Sequence, residues 1–200
     1  EVLYQKLSKD DTLAKDQLPA YFALVYYPTV GNLNVQKMQL LAGKNHYLAK
    51  LGAMAANHYA KLVQECLDRD RKLVDEYHTI NHGKWYGMGM SEHIGFTNWN
   101  EDECQNPILM NVMPAKKQRI VLSIDGTEQY AEGSPWRRTK FTLQDFLEPD
   151  KNEASFTLYN ISDMETEYKI INETPWLSCS DLEGKLNGED HSFVCIKVTI

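Results

Sequence analysis

The stretch from Leu48 to Ile80, LAKLGAMAANHYAKLVQECLDRDRKLVDEYHTI, decides the first half of the fold. Its apolar residues recur in steps of three, four or seven, which places them on one face of a helix. That face consists of Leu48, Leu51, Ala55, Tyr59, Leu62, Cys66, Leu73, Tyr77 and Ile80. A single helix from Asn32 to Asn81 would be about 75 Å long at 1.5 Å per residue. The pattern therefore predicts two helices that fold back on each other near Gly52.

A further helix is predicted upstream, because apolar residues there follow the same helical spacing. They are Leu18, Tyr21, Phe22 and Val25. Pro28 is expected to end this helix, since proline lacks a backbone N–H. Gly31 is then expected to form the turn, and Asn32 to cap the start of the next helix.

After Pro114 the apolar period changes from helical spacing to two, which is the period of a β-strand. Alternation is seen over Ile120–Ile124, at Phe156 and Leu158, at Tyr168 and Ile170, and over SFVCIKVTI at 192–200. Several short strands separated by turn residues are typical of an immunoglobulin-like antiparallel β-sandwich. A long apolar strand is rarely left bare at a sheet edge. The last strand is therefore expected to have an unpaired edge here and further chain to follow it.

The predicted fold class is α+β, in two domains. The first is a small helical hairpin or bundle over residues 1–115 that includes a long loop rich in Gly, Trp and Met. The second is the β-sandwich over residues 116–200, truncated at its C-terminus.

Composition and charge exclude some functions. The hydrophobic content of 42% and charged content of 24% are ordinary for a folded chain. The net charge of −7 repels nucleic-acid phosphates and anionic lipid, so neither is an expected partner. The cysteines have no zinc-site spacing; Cys179 and Cys195 lie near predicted strands, and a disulfide between them is left open.

The loop from Gly83 to Pro114 is the best candidate for a site, because long irregular loops in compact domains are often functional. Trp85, His93 and Trp99 are its candidate ligand-binding residues. Indole rings offer flat faces for sugar stacking, and His93 could bond a carboxylate. The alternative is that the tryptophans fasten the loop to the helices. We predict that Trp85 packs against the helices and that the stretch from His93 to Trp99 faces outward.

His78 and His82 are candidates for a metal site, because two histidines four residues apart would lie on the same face of a helix. A zinc protease needs a glutamate beside the first histidine, and Thr79 stands there. A third ligand would have to come from His58 or Cys104. The preferred interpretation is a helix C-terminus that favours histidine, with no metal and no cofactor.

The loop carries a family resemblance. Gly83-Lys84-Trp85, Met88 and Met90, then HIGFTNW at 93–99, resemble the "GKW…MM…HIGYTxW" stretch of glycoside hydrolase family 115. YFALVYYPTVGNLN at 21–34 resembles the helical segment that follows the catalytic barrel of that family. The sandwich is similar through weaker motifs, Glu132-Gly133 and Pro175-Trp176-Leu177. The sequence departs at Phe96, where the family has tyrosine, and at 100–105, which separate the motif from Pro107.

The family's enzymes are α-glucuronidases that remove glucuronic acid from xylan, and their catalytic carboxylates lie in the barrel. The resemblance therefore implies that this chain has no catalytic residue of its own. It implies a non-catalytic accessory segment that buttresses the upstream catalytic domain of the same polypeptide and lends a loop to its rim. A plant-type polysaccharide would be met through that parent enzyme.

The alternative function is a stand-alone carbohydrate-binding or protein-interaction module with a helical spacer. Such a module should expose a row of aromatic rings on one sheet face. Tyr159 and Tyr168 are the candidates for exposed rings, whereas Trp136 and Trp176 are interpreted as packed sandwich residues. A homodimer and the compartment, whether extracellular, periplasmic or cytoplasmic, are left open.

Overall fold

The computed structural model describes residues 2–9, 17–88, 94–95, 106–133, 136–188 and 192–200. The helices are α1 (Val2–Lys9), α2 (Gln17–Tyr21), a π-helical turn (Phe22–Tyr26), α3 (Tyr27–Lys50) and α4 (Ala55–Gly83). The strands are β1 (Ile120–Ile124), β2 (Tyr130–Ala131), β3 (Glu153–Asn160), β4 (Thr166–Lys169), β5 (Ser178–Cys179), β6 (Glu183–Leu186) and β7 (Phe193–Thr199). Helices followed by antiparallel, sandwich-like sheets confirm the predicted α+β class. Of the described helices, none is both long and apolar enough to cross a membrane.

By contact, the chain divides into two compact units. The first unit comprises residues 1–43 and 61–109, and the second comprises 44–60 and 110–200. The turn between α3 and α4 thus groups with the sheets, and both helices contribute to both units. The separate domains at 1–115 and 116–200 stay a prediction.

The helix does not stop at Pro28, and the predicted break there is wrong. The N–H of Tyr27 donates to the carbonyl of Phe22, five residues back, which closes a π-turn just before the proline. A wider turn relieves the clash between a proline ring and the carbonyl four residues earlier. Asn32 is likewise not a cap, because its Nδ2 donates to the Pro28 carbonyl at 2.7 Å from inside α3.

The predicted turn near Gly52 is confirmed. Gly52 adopts a φ of +70°, a left-handed conformation that glycine takes without a Cβ penalty. Its N–H donates to the Ala49 carbonyl at 3.0 Å, and the N–H of Ala53 donates to the Leu48 carbonyl at 3.0 Å. These two hydrogen bonds form a Schellman motif, which satisfies the last carbonyls of α3.

The first unit has its apolar core between α3 and α4. Its buried members are Met38, Ala42, Val63, Cys66, Leu67 and Ile94. The second unit has a separate core in which the α3–α4 turn packs on β1. Its buried members are Leu48, Leu51, Ala53, Ala55, Ala56, Val121 and Ile161.

The strands form a five-stranded sheet in the order β2-β1-β3-β7-β5 and a two-stranded sheet of β4 and β6. All these pairings are antiparallel. The last long strand, β7, is therefore not the edge strand, and the prediction of an unpaired edge is wrong along Val198 and Thr199. It holds along 193–197, where no described strand pairs with the second side of β7. β7 pairs with β3 on one side and, along Val198 and Thr199, with β5 on the other. The two-residue strand β5 has no alternating pattern, so periodicity did not show it.

Cys179 and Cys195 are free thiols. Cys179 lies opposite Val198 in the β5–β7 ladder. Cys195 lies three residues before Val198 on β7, so the two cysteines point to opposite faces of the sheet.

Two asparagines hold the chain that leads into β1, and we call them the asparagine clip. Asn45 accepts from the Met110 N–H at 2.9 Å and donates to the Met110 carbonyl at 2.8 Å. Asn57 makes the same two hydrogen bonds with Val112: it accepts from the Val112 N–H at 2.8 Å and donates to the Val112 carbonyl at 3.0 Å. The clip fixes alternate residues of an extended segment, as a neighbouring strand would.

Candidate functional site

The predicted site begins in the turn that follows α4. Regular helical geometry ends before Ile80, and Asn81 and His82 adopt left-handed φ angles of 52° and 58°. Gly83 continues in that region with a φ of +75°. The Tyr86 N–H then donates to the Gly83 carbonyl at 2.9 Å, and the Met88 N–H to Trp85 at 3.0 Å. The turn is therefore a series of tight bends that carries the Lys84-Trp85 pair.

Trp85 is half-buried in this turn. The Lys84 Nζ lies 5.3 Å from the centroid of its ring, which is a cation–π distance. Tyr86 is 75% exposed, and its ring meets the His78 imidazole edge-on at 5.6 Å. The turn thus presents rings that can stack on a flat ligand and an ammonium group that can pair with an anion.

The other two predicted site residues, His93 and Trp99, lie outside the described residues. Of the stretch from His93 to Trp99, which is predicted to face outward, the structure describes only Ile94 and Gly95. Ile94 is buried with Met38 and Val63, which places one apolar anchor of that stretch in the core of the first unit. Of the three predicted residues the structure describes only Trp85, and the role of all three stays a prediction.

A row of aromatic rings in the first unit connects with this turn. Phe22 is fully buried, and its ring lies 5.5 Å from Tyr4, 5.3 Å from Tyr26 and 6.5 Å from Tyr27. Tyr27 meets Tyr77 at 4.5 Å. Tyr77 in turn contacts His78, the neighbour of Tyr86. Sequence reasoning found Phe22 as a helix-face residue but missed Tyr4, whose short helix has no long apolar period.

Glu76 gives this aromatic row a local negative charge. Partial burial raises the pKa of Glu76 above its usual range. Burial also raises the pKa of Tyr4 and of Tyr26, and the Glu76 carboxylate adds to both shifts. The phenols therefore remain neutral hydrogen-bonding groups at physiological pH.

The structure does not place His78 and His82 as paired ligands on one helix face. Because the helix ends before Ile80, His78 and His82 do not share a helix face. His78 instead accepts a hydrogen bond at Nδ1 from the Gly87 N–H at 3.3 Å. Within the described ranges, no group of three or more His, Cys, Asp or Glu residues could hold a metal ion.

A second polar site lies on the five-stranded sheet, around Asp125. Its carboxylate accepts hydrogen bonds from Ser155 Oγ at 2.6 Å and from Thr157 Oγ1 at 2.8 Å. The Tyr47 hydroxyl and Ser123 Oγ are 2.5 Å apart nearby. A cavity of about 480 Å³ opens beside them, lined by Tyr47, Ser123, Ile124, Asp125, Gly126, Thr127 and Glu128. Sequence reasoning treated these positions only as a strand and its turn.

Tyr159 borders the same polar face. Burial, together with the nearby Asp125 carboxylate, raises the pKa of Tyr159 to about 12. Its ring packs on Phe193 at 5.8 Å between centroids. Tyr159 is thus half-buried and contributes to packing. Tyr168 is also packed, because its ring lies so close to Gly184 that a Cβ there would come within 2.7 Å of the hydroxyl.

Among the described residues of the second unit, the two most exposed rings are tryptophans. Trp136 is 94% exposed and Trp176 is 65% exposed. The interpretation of both as packed sandwich residues is therefore wrong. Both stand in irregular segments, after β2 and before β5, where alternation cannot assign a side chain to a face.

No protein-family model matches this sequence, and no curated protein matches it significantly.

Proposed function

We propose that this chain is a non-catalytic accessory segment of a family 115-like α-glucuronidase that acts on glucuronic-acid-decorated xylan. In this proposal it buttresses the catalytic domain of the same polypeptide and lends the turn after α4 to the rim of that domain. The observation that carries the proposal is the turn itself. The Gly83-Lys84-Trp85 motif stands beside exposed Tyr86 and Met88 at the end of a long helix.

Exposed apolar side chains on the first unit support a docking role. Leu24, Leu33 and Leu40 along the π-turn and α3 are exposed, as are Val2 and Leu3 on α1. Covering several large apolar side chains is favourable, because the free energy falls by about 25 cal/mol for each Å² of apolar surface that is removed from water. The proposed cover is the upstream catalytic domain.

The test compares the 200-residue chain with a longer polypeptide that includes the upstream region. Release of glucuronic acid from a decorated xylo-oligosaccharide is expected only from the longer polypeptide. Trp85→Ala in that polypeptide should lower kcat/KM by about tenfold, which corresponds to about 1.4 kcal/mol. Release by the 200-residue chain alone would contradict the proposal.

Two further variants separate docking from loop contact. Leu33→Asp with Leu40→Asp should lower the unfolding temperature of the longer polypeptide, because a charge would then enter the docked surface. The same pair should leave the unfolding temperature of the 200-residue chain almost unchanged. Equal effects on both proteins would show that this surface is not docked.

The second candidate function is a carbohydrate-binding module, and the exposed Trp136 and Trp176 favour it specifically. In that case Trp136→Ala should weaken the binding of a xylo-oligosaccharide to the 200-residue chain, and Trp85→Ala should not. In the accessory role, Trp85→Ala should lower turnover by the longer polypeptide, and Trp136→Ala should not.

A further inference from the structure

The cavity beside Asp125, of about 480 Å³, is lined by hydrogen-bond acceptors and not by cations. It lies at the turn between β1 and β2. Among the described residues, its lining includes the carboxylates of Asp125 and Glu128 but no Lys, Arg or His side chain. Glu128 is exposed, and its carboxylate makes no ion pair within the described part of the chain. Two negative charges therefore border this cavity without a positive one.

Asp125 differs from the other carboxylates of the second unit. Among the described acidic residues of this unit, Asp125 and Asp145 are the two that are partly buried, and the rest are exposed. Asp145 pairs with Lys151 at 2.9 Å, whereas Asp125 pairs with no cation of the described residues. Lys197 lies opposite Ser155 in the β3–β7 ladder, and it forms no ion pair with Asp125 either. Carboxylates removed from water are normally paired, so Asp125 is suited to a cation from outside the chain.

Neutral donors hold the Asp125 carboxylate in place. Ser155 Oγ and Thr157 Oγ1 donate to it from β3 at 2.6 and 2.8 Å, and Cys195 Sγ on β7 lies 3.5 Å from Oδ2. Hydroxyl and thiol donors orient a carboxylate without balancing its charge. Burial, and then this charge, raises the pKa of Tyr159 to about 12. The negative charge is therefore fixed in position and open to a ligand.

A pair of hydroxyls lines the same cavity. Tyr47 Oη and Ser123 Oγ are 2.5 Å apart, and Ser123 is only 2% exposed. Two hydroxyls carry two hydrogens, and the bond between them uses one. The described residues supply no further partner to either oxygen. Because buried polar groups in folded proteins are normally satisfied, the unused capacity of this pair indicates a polar occupant of the cavity.

We infer that this cavity binds a primary ammonium group through Asp125, Glu128 and the hydroxyl pair of Tyr47 and Ser123. An ammonium has three N–H donors, and the cavity offers three separate acceptors, two carboxylates and a hydroxyl oxygen. Small-molecule cavities begin at about 300 Å³, so there is also room for the alkyl chain behind the ammonium.

Other cations fit less well. A guanidinium binds best through two parallel hydrogen bonds to one carboxylate, and Asp125 already accepts three bonds. A calcium ion takes about six to eight oxygen ligands. Within the described ranges, no group of three or more His, Cys, Asp or Glu residues could hold a metal ion.

The inference does not depend on the proposed function, since the cavity belongs to the second unit and does not involve Trp85. A primary ammonium has two sources, a free alkylamine and the lysine side chain of a peptide. Their shared chemistry is what the cavity recognises, and the test separates the two.

The test is a titration of the 200-residue chain followed by proton–nitrogen NMR correlation spectra at about pH 7, where alkylamines are protonated. The ligands are pentylamine, pentanol, pentyltrimethylammonium, Nα-acetyl-lysine N-methylamide and calcium chloride. Pentylamine should shift the amides of 123–128. It should bind about tenfold more tightly than the other two pentyl ligands, because pentanol has no charge and the quaternary ion has no N–H.

Variants identify the acceptors. Asp125→Asn should weaken pentylamine binding about tenfold, since it removes a charged acceptor. Glu128→Gln should weaken it about threefold, and its exposed side chain makes the fold insensitive to the change. The matched control is Asp163→Asn, which removes an exposed carboxylate beyond the end of β3 and should leave the affinity unchanged. Circular dichroism spectra and unfolding temperatures show whether each variant is folded.

Each outcome decides the inference. Binding of pentanol or of the quaternary ion as tightly as pentylamine would overturn it. So would an unchanged affinity in both Asp125→Asn and Glu128→Gln, or tighter binding of calcium at the same amides. Tighter binding of the lysine derivative than of pentylamine would keep the inference and assign a peptide as the source, and the reverse order would assign a free amine.

Discussion

Both units have an apolar core, but they differ in how many asparagines join distant backbone segments. In the first unit the described core is formed by rings and aliphatic side chains with one such asparagine, Asn34, whose Nδ2 donates to the Cys66 carbonyl at 2.8 Å, whereas in the second unit three asparagines make bonds of this kind. Phe22 and Met38 are typical of the first, and Asn45, Asn57 and Asn160 of the second. Packing between helices follows from a repeating apolar pattern. Side-chain hydrogen bonds to a distant backbone follow from no pattern along the chain.

The most extensive of these polar contacts belongs to Asn160, which is fully buried at the end of β3. Its Nδ2 donates to the Met164 carbonyl at 2.8 Å and lies 3.3 Å from the Leu186 carbonyl. Its Oδ1 accepts from the Ser162 N–H at 3.0 Å and from Thr166 Oγ1 at 3.4 Å. One amide thus joins β3 to the two-stranded sheet.

The largest expected effect is in the first unit. Phe22→Ala should lower the free energy of unfolding by about 3–5 kcal/mol, because a fully buried ring leaves a cavity among Tyr4, Tyr26 and Tyr27. Urea unfolding measures the loss, and hydrogen exchange should show it at the amides of α3 and not at those of β3. Leu24→Ala, on an exposed neighbour, is the control and should have little effect. Equal acceleration of exchange in β3 would mean that the loss of the Phe22 ring destabilises both units alike, and would contradict the prediction.

The next effect is in the second unit. Asn160→Ala should cost about 3 kcal/mol, because it leaves buried carbonyl and hydroxyl groups without their partner. Asn152→Ala, which removes an exposed amide next to the same strand, serves as the matched control. Exchange should accelerate in β4 and β6 first. An Asn160→Ala protein as stable as its control would show that apolar packing holds this unit as well.

The smallest expected effect is on the pH dependence of stability, and it tests the polar face of the five-stranded sheet in the second unit. An unfolded tyrosine ionises near 10.0, whereas Tyr159 in the folded chain does so near pH 12. The unfolded state therefore loses a proton that the folded state keeps, and stability should fall as the pH rises from about 10 to about 12. Urea unfolding of Tyr159→Phe should show a smaller loss over that range than the unsubstituted chain. Tyr130→Phe is the control, and an identical loss in both variants would contradict the assignment.

The sequence predicted the helical hairpin and the main strands well. The apolar face between Leu48 and Ile80 repeats over several turns, and the glycine at its bend has the positive φ that the turn requires. Alternation likewise found β1, β3 and β7. It failed at Pro28, where a π-turn accommodates the ring, and at β5, which is too short to alternate.

The candidate site was harder to predict. Trp85 was found because a motif carries it, and the structure places it half-buried beside Lys84. The cavity at Asp125 was missed because Tyr47 and Ser123, which lie 76 residues apart, meet only in the folded chain. The exposure of Trp136 was misjudged because tryptophan is usually an inward residue, and nothing in an irregular segment indicates the reverse.

The asparagine clip has a consequence for how freely the chain can vary. The hydrogen bonds of Asn45 and Asn57 to this segment all go to the peptide groups of Met110 and Val112. Val112 also packs against the core of the second unit, whereas Met110 is exposed. Almost any amino acid can therefore replace Met110 without disturbing its attachment, and only proline, which lacks the N–H, is excluded. Selection there should accordingly fall on Asn45, while position 110 drifts. Sequence comparison alone would then rank position 110 as unimportant, although the entry to β1 passes through it.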